Sequence, residues 1–155
     1  MAQDEKTLVS LLIGHRTSRV ADMEREGVMP PFLVAKYARE SAAREAADLS
    51  HLSLALTAAL LHASFRDEEE DVRAAARRTL IIHGGPLGDA IYLSLTMDPD
   101  PEVRESAFDE ALEVVDDARR SSLIRQAAEA LVGDDVESVR SRALEFSNAA
   151  KWSNE

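Results

Sequence analysis

Asp98-Pro99-Asp100-Pro101-Glu102-Val103-Arg104 is the stretch of this chain that decides the fold, together with Ala107 three residues later. The phrase that ends it, Val-Arg-X-X-Ala, occurs three times, each time after a short acidic run, and its arginines are Arg73, Arg104 and Arg140. Their spacings of 31 and 36 residues fall within the period of roughly 20 to 50 residues that marks stacked supersecondary units. The sequence therefore predicts a repeat protein.

The acidic turn, the Val-Arg pair and the later Ala resemble the second helix of a HEAT repeat, over roughly residues 50–148. The resemblance implies an all-α fold: a short right-handed α-solenoid of about three HEAT-like helical hairpins with an N-terminal helical cap. It also implies that the second helices line a concave side and that Arg73, Arg104 and Arg140 form a ladder with Asp residues of neighbouring turns. The Leu expected eight residues after Val is Leu80 in the first copy, but Ala or Ser in the others.

Length and composition point to one helical domain. The chain has 155 residues, of which 45% are hydrophobic and only 5% aromatic. Its apolar residues are mostly Ala and Leu, which favour closely packed helices over a sheet. The absence of cysteine excludes disulfides, thiolate zinc sites and a cysteine nucleophile. The sequence shows neither a basic leader with an apolar stretch nor an apolar run of roughly 18 residues, so we expect a cytoplasmic protein that does not enter a membrane.

The net charge of −11 is concentrated in the repeat half. Residues 67–155 carry 21 acidic and 10 basic side chains, whereas residues 1–66 carry eight of each. Because nucleic-acid binding demands clustered Lys and Arg, we expect no nucleic-acid partner. A protein partner with a basic surface fits this charge better.

The chain is predicted to be a single domain with five segments. Residues 1–49 form the cap or a degenerate repeat, with helices over 3–14, 19–26 and 32–49. The larger side chains Phe32, Leu33 and Tyr37 are expected to anchor the third of these helices. The three HEAT-like units are 50–83, 86–115 and 118–148, and residues 149–155 form a tail.

Turn residues set the helix ends within these units. Ser50 is the predicted N-cap of a nearly all-round apolar helix, which must be buried on most sides. The second helices are predicted over 72–83, 102–115 and 136–148, and the later first helices over 87–97 and 118–132. Gly84 supplies the left-handed conformation that ends the first of the second helices. Asp71, Asp100 and Asp135 are expected to serve as N-caps or first-turn acids.

The candidate partner-binding residues are acidic turn residues and outward positions of the second helices. The acidic ridge, defined as Glu68, Glu69 and Glu70, is predicted either to meet a basic partner or to serve only solvation and capping. The outward positions, with one residue of the tail, are Arg77, Arg78, Phe108, Asp109, Leu144, Glu145 and Trp152. Phe108 and Leu144 have core packing as their alternative role, and Trp152 has packing on the last helix.

No pattern in the sequence predicts catalysis, a metal or a cofactor. The four histidines His15, His51, His62 and His83 are dispersed, without the i, i+3 or i+4 spacing of helical metal sites. We therefore predict a non-enzymatic protein–protein interaction module, a small adaptor or regulator that uses its concave face or acidic edge. Two alternatives stay open: a bilin-lyase-like HEAT enzyme or auxiliary, and an acidic inhibitor that mimics nucleic acid.

Overall fold

A computed structural model describes residues 3–15, 18–27 and 29–152 of the chain. Within these residues the fold is all-helical, with nine α-helices, one 3-10 turn and no strands. The helices are α1 Glu5–Leu12, α2 Ser18–Glu26, α3 Pro31–Ala46, α4 Leu54–Arg66, α5 Glu70–His83, α6 Gly85–Ser94, α7 Pro101–Val114, α8 Asp117–Leu131 and α9 Glu137–Trp152, and the 3-10 turn is Leu95–Met97. The chain divides into two compact units, Met1–His83 (unit 1) and Gly84–Glu155 (unit 2).

Unit 1 packs in two layers. Helices α1 and α4 contact each other in one layer, α3 and α5 contact each other in the second, and α1 packs on α3 as α4 packs on α5. Many of the buried positions of α3 are alanines, so the helix backbones approach closely. Asp4 and Ser53 cap α1 and α4 by accepting backbone N–H groups of Thr7 and Leu56.

Unit 2 repeats this layered arrangement. Helices α7 and α9 contact each other, α6 and α8 contact each other, and α7 and α9 each pack on α8. Tyr92, Phe108 and Leu131 are among its largest fully buried side chains. Arg120 of α8 caps the end of α7, since its Nε donates to the Ala111 carbonyl at 3.0 Å and its Nη2 to the Val115 carbonyl at 2.9 Å. These bonds satisfy carbonyls that a helix C-terminus leaves unpaired.

The division between the units falls at the predicted turn. Gly84 has a positive φ of +70°, but its ψ of −145° is not the predicted left-handed helical conformation, and it stands as the N-cap of α6. Helices stand where the second helices were predicted, as α5, α7 and α9, with ends that differ by a few residues. Before α9, Asp134 accepts the Val136 N–H at 2.9 Å, which makes an Asx turn and not a helix cap.

Three expectations about burial are wrong. The helix predicted from Ser50 begins at Leu54, after the cap Ser53, and Leu54 is 88% exposed although burial on most sides was expected. Phe32, Leu33 and Tyr37 were expected to anchor α3, yet all three are exposed. The Val and the Ala of the repeated phrase lie four residues apart on one helical face, so both are expected to be buried; Ala107 is fully buried, but Val103 is only half-buried.

Candidate protein-binding site

The three repeated arginines hold their own turns. In each case Nη1 donates to the backbone carbonyl six residues earlier, from Arg73 to Asp67, from Arg104 to Asp98 and from Arg140 to Asp134, at 2.5, 2.8 and 2.6 Å. Each of these aspartates also accepts a backbone N–H two residues ahead of it, in an Asx turn. The repeated phrase therefore encodes one turn structure, used three times.

Arg104 also joins two successive turns, as the predicted ladder requires. Its Nε and Nη2 donate to the two carboxylate oxygens of Asp134 at 2.8 and 3.0 Å. The hydrogen bond from Arg104, supported by the Val136 N–H, lowers the pKa of Asp134 to about 2. Arg73 differs, because its side chain pairs with Glu70 of its own helix. Arg140 makes the carbonyl contact only, among the residues that the structure describes.

A second arginine with a bidentate aspartate pair, Arg39, escaped the sequence analysis. Its Nε and Nη2 donate to Asp67 at 2.7 and 3.2 Å, the same bidentate geometry as the Arg104 pair. The signal was present as Ala38-Arg39-X-X-Ala42, in which Ala replaces the Val of the other copies. Helix α3 therefore carries a form of the repeated phrase and the same bidentate contact as α7.

The acidic ridge is matched by cations of the same unit. Glu68 lies 3.7 Å from the Arg39 guanidinium, and Glu69 lies 3.9 Å from Lys36 Nζ. Glu70 accepts from Arg77 at 2.7 Å and from Arg73 at 2.6 Å. Burial opposes ionisation of Glu70, but these two arginines outweigh it and lower its pKa. Glu70 is thus held by two arginines, whereas Glu68 and Glu69 make only long contacts to cations that already bond Asp67 and Asp71, and the Glu68 side chain is 83% exposed.

The other predicted site residues divide between core, ion-paired and exposed positions. Phe108 is fully buried and stacks on Phe146, with ring centroids 4.7 Å apart. It therefore belongs to the core of unit 2, which was its alternative role. Asp109 pairs with Arg142 of α9 at 2.5 Å, while Leu144 and Glu145 are exposed on that helix. Arg77 is largely covered and holds Glu70, Arg78 is exposed, and the side chain of Trp152 lies outside the described residues.

An exposed apolar surface lies elsewhere, on α3 and α5 of unit 1. The two helices run side by side in the same direction, since Lys36 contacts Asp71 near their starts and His83 Nε2 lies 2.9 Å from the Ala46 carbonyl near their ends. Between these contacts Thr79 donates to the α3 backbone. These contacts fix the sides of α3 and α5 that face each other, and therefore the sides that remain exposed.

The open sides carry aromatic and aliphatic groups. Along α3 the stripe opposite the α1 layer holds Leu33 and Tyr37, and Phe32 stands in the first turn with 71% of its surface exposed. Along α5 the exposed stripe is Ala74, Arg78 and Ile82, while Val72, Ala76 and Leu80 are buried. We call the surface of Leu33, Tyr37, Ala74, Arg78 and Ile82 the α3/α5 face. Sequence analysis missed it because apolar residues at helical spacing normally indicate core.

No three or more His, Asp or Glu side chains lie together in a way that could hold a metal ion in the described part of the chain. No helix within that part combines the length and the apolar character needed to cross a membrane.

Comparison with known protein families, curated proteins and solved structures returns no match. The repeat character of this chain therefore rests on its own residues. Three turns built alike around Arg73, Arg104 and Arg140, and two bidentate pairs at Arg39 and Arg104, are the observations that carry it.

Proposed function

We propose that this chain is a small HEAT-like α-solenoid that acts as a non-enzymatic adaptor or regulator, binding a partner protein across the α3/α5 face. The hairpin character is supported by the two-layer packing within each unit and by the recurring arginine contacts. In this proposal α3, α5, α7 and α9 are the second helices, which line the side that a HEAT solenoid offers to its partners.

The observation that carries the binding proposal is the exposure of large apolar side chains on neighbouring parallel helices. Phe32 is 71% exposed and Tyr37 51%, with Leu33 near them on α3, while Ile82 lies farther along the same layer, near the helix ends where His83 meets Ala46. Single exposed apolar residues are ordinary, but a cluster bordered by polar groups marks an interaction site. Tyrosine is also enriched among residues that dominate binding energy.

The shape and charge of the face indicate the kind of partner segment. Ala74 is the smallest side chain of the face and is exposed on α5. Arg44 and Arg78 are exposed at this surface, and Arg44 is paired with Glu40. Contacts to this face are therefore led by apolar burial, with charge in a secondary role.

A second candidate function rests on the charge of unit 2. Residues 84–155 carry 16 acidic and 7 basic side chains, so most of the net charge of −11 belongs to this unit. Asp117 and Asp135 have almost fully exposed side chains. This negative charge favours binding to a basic partner. It also favours a role as an inhibitor that competes with nucleic acid for such a partner. DNA should then displace a partner bound through unit 2, whereas a partner bound through the α3/α5 face should be unaffected.

The proposal is tested by affinity capture with a matched control. Leu33→Ser with Tyr37→Ser removes one aliphatic and one aromatic contact from the face. Leu54→Ser with Phe65→Ser removes the same two kinds of exposed side chain from α4, in the other layer. Proteins retained by the parent and by the α4 control should be lost with the face variant, as measured by quantitative mass spectrometry. Identical retention by all three proteins would refute binding through this face.

A further inference from the structure

One side of α9 faces away from α7. Arg142 and Phe146 reach α7, where they contact Asp109 and Phe108. Positions 140 and 144 lie two residues before these, about 200° round the helix at 100° per residue. Residues 137, 140 and 144 therefore share the side of α9 that α7 does not cover.

That side carries an arginine with unused donors. Arg104 spends its Nε and Nη2 on Asp134, whereas Arg140 bonds only the Asp134 carbonyl through Nη1 in the described part of the chain. One turn earlier stands the exposed carboxylate of Glu137, and one turn later Leu144, which is 49% exposed. A cation, an anion and an apolar side chain thus follow one another along the open side.

The end of α8 extends this surface. Arg119 contacts Asp89 of α6, and Val132 follows Arg119 by about 220° round the helix, so Val132 lies on the side away from α6. Val132 is 39% exposed at the C-cap of α8. Since α6 covers α8 and α7 covers α9 on one side, the opposite sides form an end face of unit 2, defined as Val132, Glu137, Arg140 and Leu144.

We propose that the end face binds the end face of a second copy of this chain, with the two α9 helices antiparallel about a two-fold axis. Two-fold symmetry requires that a contact from residue i to residue j be matched by one from j to i. Arg140 opposite the second copy's Glu137 satisfies this rule. Because α9 begins at Glu137, Leu144 then lies beyond the start of the second copy's α9, towards the end of its α8 and Val132. Each Arg140 thus meets a carboxylate of the other copy, and each Leu144 meets an apolar neighbour.

A head-to-tail contact fits the same arginine less well. The pairs at Arg39 and Arg104 use an aspartate from the turn before the following second helix. The turn before α3, residues 27–31, reads Gly-Val-Met-Pro-Pro and has no carboxylate to offer Arg140. Pairing with the end face of a second copy supplies Arg140 with the carboxylate of Glu137 and does not need that turn. One helix and one helix end per copy make a small interface. The dimer is therefore reversible, with a dissociation constant on the order of micromolar.

Charge reversal with the full-length chain tests the pairing. Glu137→Arg and Arg140→Glu each place like charges opposite each other and should raise the dissociation constant at least about tenfold in sedimentation velocity. An equimolar mixture of the two variants should dimerise again, because each then faces the opposite charge. Glu145→Arg, on α9 but about 140° from Arg140, should dimerise like the parent.

Three results would each overturn the proposal. They are a parent chain that stays monomeric up to about 0.5 mM, single reversals that dimerise like the parent, and a mixture that associates no better than either variant alone. Leu144→Ser removes only an exposed side chain, so it keeps the fold that circular dichroism can verify. It should weaken the dimer about tenfold, and a parent-like dimer would equally contradict the pairing.

Discussion

Arg39→Ala should destabilise unit 1 far more than the same change at a neighbouring arginine. The Asp67 side chain is only 7% exposed, and Arg39 supplies both of its charged hydrogen bonds. Removing one partner of a covered ion pair leaves an uncompensated charge and typically costs about 3 to 5 kcal/mol. Because Asp67 keeps the Glu69 N–H, we expect the lower end, about 3 kcal/mol.

Arg44→Ala is the matched control on the same helix. Arg44 pairs with Glu40 one turn earlier, but its side chain is 72% exposed, and such pairs contribute about 0.3 to 0.5 kcal/mol. Both variants lose an arginine from α3, so helix propensity changes alike. Urea unfolding followed by circular dichroism gives the two free energies, and hydrogen exchange of α3 and α5 amides assigns the loss to unit 1.

A double-mutant cycle with Asp67→Asn isolates the pair. Asparagine keeps an acceptor for the Glu69 N–H but removes the charge, so Arg39→Ala should cost much less in that background. Equal destabilisation by Arg39→Ala and Arg44→Ala, or a coupling energy near zero, would refute a structural role for the Arg39–Asp67 pair.

Three further predictions concern unit 2. Asp134 has a folded pKa of about 2, below its usual 3.8, so its stabilisation is present above pH 4 and lost as pH falls towards 2; Asp134→Asn should flatten urea midpoints measured across this range. Phe108→Ala should cost about 3 to 5 kcal/mol in urea unfolding, because it opens a cavity against Phe146, and a cost below about 1 kcal/mol would contradict its burial. Gly84→Ala should lower the melting temperature, since φ +70° suits glycine and a Cβ would stand 2.5 Å from Arg119 Nη1; an unchanged melting temperature would show that both relax freely.

Helices α5, α7 and α9 and the turns before them could be predicted from the sequence because each is specified by nearby residues. The contact from Arg73, Arg104 or Arg140 to a carbonyl spans six residues, and the Asx turn spans two. The glycine with a positive φ at the start of unit 2 is equally local. Such features recur in the sequence wherever they recur in the structure.

Ion pairs between distant parts of the chain could not be predicted from the sequence. The cations that lie near Glu68 and Glu69 come from α3, about thirty residues earlier. No spacing rule in the sequence joins Lys36 to Glu69 or Arg39 to Glu68. The acidic ridge was therefore predicted from its carboxylates alone, without the cations that lie beside them. Arg39 itself was hidden because Ala38 occupies the position where the other copies have Val.

The α3/α5 face shows why burial is harder to predict than helix formation. The sequence fixes that Leu33 and Tyr37 share a side of α3, since they are four residues apart, but it does not say which side is covered. Small residues decide this here: Val34, Ala38 and Ala42 allow α1 to approach closely, so the alanine side becomes the interface and the larger side chains are left outside. In an alanine-rich helical stack, large exposed side chains are therefore better candidates for partner contacts than for core. By the same reasoning, exchanging Leu33 and Tyr37 for serine should leave the melting temperature unchanged while abolishing partner capture. A large loss of stability in that variant would show that these side chains pack against the chain itself.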